Sequence, residues 1–179
     1  MIDLLTENIK NSEAYKAAHP NSSRVHYAEN TLSVGFLGVD VIAPVLSDVG
    51  HTELAYKLLL QDAMPSWLYS VKNGATTVWE RWNSYSVEDG FGDVRMNSYN
   101  HYAYGAIAEW MYKYMAGIAV DPTQPGFKHI LLQPHIDINE QITWVKGMYD
   151  SVRGMIRSEW EVNGHTFTYS VTIPANTTA

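Results

Sequence analysis

Residues 74–112 read GATTVWERWNSYSVEDGFGDVRMNSYNHYAYGAIAEWMY. The second half of this stretch sets the fold class. Over residues 98–115 the spacing predicts a helix with Ala103, Ile107, Trp110 and Tyr114 on one face and Tyr104, Ala108, Met111 and Met115 on the next. A helix apolar on so many sides belongs inside a helical assembly. The first half carries the chemistry. Glu80 stands between Trp79 and Trp82, and a polar, glycine-containing loop then leads to Asn100 and His101 at the mouth of the aromatic helix.

A carboxylate held among indoles is partly desolvated, which makes it a better proton acceptor. Flat aromatic faces cover the C–H faces of a pyranose, while polar edges and neighbouring amides meet its hydroxyls. Together these side chains suggest a sugar site. The plainer reading makes Glu80 a surface acid on a helix whose tryptophans pack inward, and His101 a core histidine satisfied at a helix start. Asn73 and Gly74 form a turn signal, after which Thr76 and Thr77 are predicted to cap a short helix carrying Trp79, Glu80 and Trp82. On that reading the helix N-terminus favours the Glu80 carboxylate. In the loop 84–97, Glu88, Asp89 and Asp93 read as solvated acids.

Working outward toward the N-terminus, residues 32–49 are apolar almost all round and predict a helix buried on most sides, with Gly35 and Gly38 allowing close approach. Residues 53–61 form a second helix burying Leu54 and Leu58, and Gly50 punctuates the hairpin between the two. Residues 2–18 predict a polar helix with Leu4, Leu5, Ile9, Ala14 and Ala17 as a thin apolar stripe, ending at His19-Pro20. Toward the C-terminus the texture changes after Gly117. Residues 121–126 are a breaker-rich link, residues 129–133 a strand, and residues 155–162 and 165–173 alternate around Asn163-Gly164, a strong hairpin signal. A type I′ loop of Asn163 and Gly164 pairs Trp160 with Phe167 and Ser158 with Tyr169. The domain boundary falls near Ile118.

Composition bounds the function. The chain has 179 residues, 46% hydrophobic and 17% charged, enough for one real core or two small ones. Its net charge of −7 argues against a nucleic-acid backbone as partner. It contains no cysteine, which rules out disulfides and thiolate metal sites and suits a reducing compartment. No apolar run reaches the length of a membrane span. The seven histidines show no metal-ligand spacing, the glycine pairs lack the lysine of a phosphate loop, and no GxSxG occurs, so neither metal, cofactor nor serine-hydrolase chemistry is expected.

GATTVWERWNS together with MNSYNHYAYGAIAEWMYKYMAGI resembles the signature region of bacterial α-L-rhamnosidases (glycoside hydrolase family 78). TLSVGFLGVDVIAPVL and GHTELAYKLLLQDAMPSWLYSVKNGATTVWE upstream, and PGFKHILLQP and VTIPANTTA downstream, extend the likeness over residues 30–179. The resemblance implies an α+β multidomain arrangement. Residues 1–118 would be the C-terminal portion of an (α/α)6 six-hairpin catalytic toroid, and residues 119–179 an antiparallel β-sandwich that ends one strand short. It implies inverting hydrolysis of terminal α-L-rhamnose, with Glu80 as general base, His101 as a substrate contact, and Asn100, Trp79 and Trp82 around the sugar. Inverting hydrolysis also needs a general acid about 6.5–9.5 Å from the base. In the family that acid lies well upstream, and nothing before Leu32 matches its segment. Asp40, Asp48 and Asp62 sit in predicted helices where packing or solvation explains them. The chain is therefore expected to be inactive alone and, with apolar helix faces uncovered, to self-associate. The alternative is a non-catalytic carbohydrate-binding or interaction domain derived from such an enzyme.

Overall fold

The computed structural model describes residues 1–32 and 34–179, which divide into two compact units, Met1–Ala106 and Ile107–Ala179. The first is helical with one small hairpin; the second is built around antiparallel sheets.

The first unit begins with two short helices rather than one. Helix α1, Ile2–Lys10, stops at Asn11, which takes a left-handed φ of 48°, and Ser12 then caps α2, Glu13–Ala18, by accepting the Tyr15 N–H. The Asn11 side chain explains the break. It is fully buried and donates to the carbonyls of Arg24 (2.7 Å) and Tyr27 (3.0 Å), which tie the end of α1 to the 3-10 turn Ser23–His26. Arg24 in turn donates to the carbonyls of Ile9 and Thr31, and its burial lowers its pKa from the usual guanidinium value. Of the predicted stripe, Ile9 is buried and Leu4 is exposed.

Helix α3, Phe36–Asp48, starts four residues later than its sequence predicts; Ser33, inside the predicted span, lies outside the described residues. It packs on α4, Thr52–Leu60, through Val39, Ile42, Ala43 and Leu46 on one side and Leu54, Ala55, Tyr56 and Leu58 on the other. The link is a Schellman motif: Gly50 takes φ 86°, its N–H bonds to Ser47 O, and the His51 N–H reaches back to Leu46 O at 2.7 Å. Burial on most sides is not what α3 achieves within this unit. Leu37 is 90% exposed, and Phe36, Val41 and Val45 also face outward, because α4 covers a single stripe.

Helix α5, Trp67–Lys72, was not foreseen; Ser66 caps it by accepting the Tyr69 N–H, and Gly74 (φ 84°) closes it with a second Schellman pair, Gly74 N–H to Val71 O and Ala75 N–H to Ser70 O. Beyond it the predicted helix over residues 76–82 does not form. The backbone there is irregular, and β-branched and aromatic side chains at 76–79 give it little helical preference to set against pairing with residues 98–101. Strands β1, Tyr85–Ser86, and β2, Gly90–Phe91, make a small antiparallel hairpin inside the predicted loop. The predicted helix at 98–115 begins only at Ala103, as the 3-10 turn Ala103–Ala106.

The second unit opens with the single helical turn α6, Ile107–Trp110, and a π-helical turn, Met111–Met115. Gly117 then turns the chain at φ 70°, where a Cβ would lie 2.2 Å from Pro134 N, so only glycine fits. Strand β3, Ile118–Val120, pairs antiparallel with β4, Ile130–Leu132. A three-stranded antiparallel sheet follows in the order β5, Trp144–Ser151, β6, Gly154–Asn163, and β7, Thr166–Thr172. Strand β5 was not predicted. Ala116, Ile118, Ile130 and Ile156 form the core, with Phe127, Leu132, Val145 and Ile173 packed against it. Trp160 Nε1 donates to Met115 O at 2.7 Å and Ser158 Oγ to Ala116 O at 2.5 Å, so the polar atoms of the inward face of β6 are satisfied.

The β6–β7 hairpin forms with a different register from the predicted one. Asn163 pairs with Thr166, Val162 with Phe167, and Trp160 with Tyr169 rather than Phe167. The two loop residues are Gly164 and His165, and of these Gly164, the first central position, takes a positive φ (57°) while His165 does not, as in a type II′ turn; a type I′ turn would need both positive. A shift of two leaves every side chain on its predicted face.

Candidate functional site

The site begins where α5 ends. The Gly74 turn sends residues 76–82 across residues 98–101, and two backbone bonds join the segments: Glu80 N–H to Ser98 O at 2.9 Å and His101 N–H to Val78 O at 2.8 Å. Thr77 Oγ1, expected as a helix cap, instead donates to Tyr99 O. The Glu80 carboxylate takes a third bond, accepting the Ser98 N–H on Oε2 at 2.6 Å. It is half-buried, and in place of the predicted helix N-terminus a single backbone amide supports its charge.

His101 is brought to the same pair of segments. Its ring lies between Phe36 (4.7 Å, 21°) and Tyr102 (5.5 Å, 5°), and Nδ1 faces the Ala103 N–H at 3.4 Å. An acceptor role for Nδ1 leaves Nε2 to carry the proton of a neutral ring. Asn100 is exposed, with its backbone N–H directed to Ser98 Oγ.

The tryptophans face different neighbours. Trp79 is 6% exposed and meets Tyr85 and Tyr99 edge-on. Trp82 is half-buried, stacks on Tyr104 at 3.8 Å, meets Trp67 at a right angle, and donates Nε1–H to Val34 O. Trp67 Nε1 donates to Tyr104 O, and burial pushes the Tyr104 phenol up in pKa. These rings border an open hollow of about 280 Å³ lined also by Val71, Thr77 and Val78. Neither Glu80 nor His101 lines that hollow.

The acids of the 84–97 loop are exposed, as expected. Asp93 is held below the ordinary carboxylate range by its hydrogen bonds from Arg95, which suits an ionised ion-pair partner and not a proton donor. Phe36, Trp67, Tyr99 and Tyr104 were missed as site neighbours. Their aromatic character was visible in the sequence, but nothing in the spacing shows which rings share a wall.

Residues 1–115 match the family described as the bacterial α-L-rhamnosidase six-hairpin glycosidase domain, and residues 117–179 match the bacterial α-L-rhamnosidase C-terminal domain. The chain belongs to the bacterial α-L-rhamnosidases. It is 43% identical over 99% of its length to an α-L-rhamnosidase of Formosa agariphila and 40% identical over its whole length to one of Alteromonas sp.. It spans 18% and 19% of those relatives. A crystal structure of Streptomyces avermitilis α-L-rhamnosidase complexed with L-rhamnose superposes with a TM-score of 0.77 at 41% identity, covering 82% of this chain and 14% of that one. The rhamnosidase match reaches residue 1, whereas the motifs alone carry it from residue 30.

Proposed function

We propose that this chain supplies the general base of an inverting α-L-rhamnosidase. Residues 1–118 would form the last part of an (α/α)6 toroid and residues 119–179 a β-sandwich. The observation that carries the reading is the Ser98 N–H bond to Glu80 Oε2, which fixes a half-buried carboxylate on the same paired segments as His101. Likeness to an enzyme solved with L-rhamnose supports rhamnose as the sugar.

In the step itself, Glu80 accepts a proton from water while the water oxygen attacks the anomeric carbon. The bond from that carbon to the leaving oxygen breaks, and a general acid outside these residues protonates that oxygen. His101 Nε2–H and the Asn100 amide hold sugar hydroxyls. Of the two tryptophans, Trp82 keeps surface for a sugar face and Trp79 backs the wall.

Glu80→Gln in the full-length protein tests the assignment, because an amide keeps the shape and cannot take the proton. Single-turnover rates on an aryl α-L-rhamnoside should fall by about 100-fold or more, while rhamnose affinity by calorimetry stays within a few fold. Near-normal turnover would sink it, and loss of affinity with little change in rate would favour a binding role for Glu80.

A further inference from the structure

The segment that supports Glu80 is itself held by a closed ring of hydrogen bonds. Ser84, fully buried, accepts the Arg81 N–H on Oγ at 3.1 Å and donates from Oγ to Asn97 Oδ1 at 2.5 Å. Its carbonyl accepts three donors: Gly92 N–H at 2.8 Å, Asn97 Nδ2 at 3.0 Å and the Tyr99 hydroxyl at 2.5 Å. Asn97 Nδ2 also reaches the Tyr99 hydroxyl at 3.1 Å. Arg81 follows Glu80 directly, and Asn97 and Tyr99 flank Ser98, whose N–H meets the Glu80 carboxylate. The ring therefore runs from Glu80 through Arg81, Ser84 and Asn97 to Ser98 and back to Glu80.

We infer that Ser84, Asn97 and Tyr99 are positioning residues for Glu80, setting the angle at which its carboxylate meets water; this rests on the reading of Glu80 as the base. The physical ground is that a long flexible side chain at a half-exposed position keeps one rotamer only if its partner amide is immobile. Here the partner is a main-chain N–H in a non-helical segment joined to residues 78–80 by two backbone bonds, outside any regular strand. The side chains of Asn97 and Tyr99 reinforce that short pairing by converging on one buried carbonyl. Gly92 shows how tightly the ring closes: a Cβ there would lie 2.7 Å from Asn97 Nδ2 and 3.1 Å from Ser84 O. The backbone of Gly92 is not left-handed, so alanine is opposed there by the ring alone.

Tyr99→Phe is the cleanest test, because it removes one hydroxyl and leaves the ring that packs on Trp79 and Phe91. In the full-length protein with an aryl α-L-rhamnoside, Tyr99→Phe and Gly92→Ala should each lower kcat three- to tenfold with KM within twofold. Placed in the Glu80→Gln background, each should cost less than a further twofold, since residues acting through one group are not additive. Unchanged kcat in both single variants overturns the inference, as does the same fold-loss with and without Glu80. Glu80→Gln alone at near-normal turnover overturns the base reading on which it stands. A dead Glu80→Gln beside normal Tyr99→Phe and Gly92→Ala overturns the positioning role only.

Discussion

Glu80 and Ser98 exchange two hydrogen bonds, one from the Glu80 N–H to the Ser98 carbonyl at 2.9 Å and one from the Ser98 N–H to the Glu80 carboxylate at 2.6 Å. A main-chain carbonyl would ordinarily take the second bond in an antiparallel pair. Giving it to the side chain of the same residue turns a strand-like pairing into a carboxylate mount, eighteen residues apart in sequence.

His101→Ala should weaken substrate binding without abolishing chemistry. Loss of one sugar hydrogen bond is worth about 1 kcal/mol, so KM on an aryl α-L-rhamnoside should rise roughly five- to tenfold. An unchanged KM would remove His101 from the sugar site and leave it as a ring packed between Phe36 and Tyr102.

Leu46→Ala should destabilise the helical unit by about 2–5 kcal/mol, because Leu46 is fully buried between α3 and α4. Chemical denaturation followed by helical circular dichroism measures it. A cost below about 1 kcal/mol would mean the hairpin collapses around the gap.

Gly117→Ala should destabilise the second unit by more than about 2 kcal/mol, since the added Cβ meets Pro134 backbone and the left-handed φ is unfavourable for alanine. Hydrogen exchange should show lost protection at Ile118 and Leu132, which pair across β3 and β4. Full protection in the variant would contradict the turn.

The 179-residue chain should self-associate in solution through the uncovered side of α3, where Leu37 and Val41 are exposed. Light scattering on the purified chain should show oligomers that Leu37→Lys reduces. A monomer at high concentration in both would refute the association.

Local chemistry determined much of this protein. The hairpin stop at Gly50, the turn at Asn73-Gly74, the change to β texture after Gly117 and the hairpin near Asn163-Gly164 each depend on residues a few positions apart, and each was legible. So were the family motifs around Glu80 and His101. Tertiary structure alone decided the rest. Whether Glu80 rode a helix or a paired segment turned on main-chain bonds between residues 78–80 and 98–101, and such bonds leave no periodicity in a single chain. The break at Asn11 depended on carbonyls thirteen and sixteen residues away. The β6–β7 register depended on which residue took the positive φ, and Asn163 and Gly164 were both locally competent; with Gly164 first in the loop, the sheet pairs Trp160 with Tyr169. The common reason is physical. A propensity summed over neighbours is worth tenths of a kcal/mol per residue, and one buried polar group that must find a partner outweighs several of them.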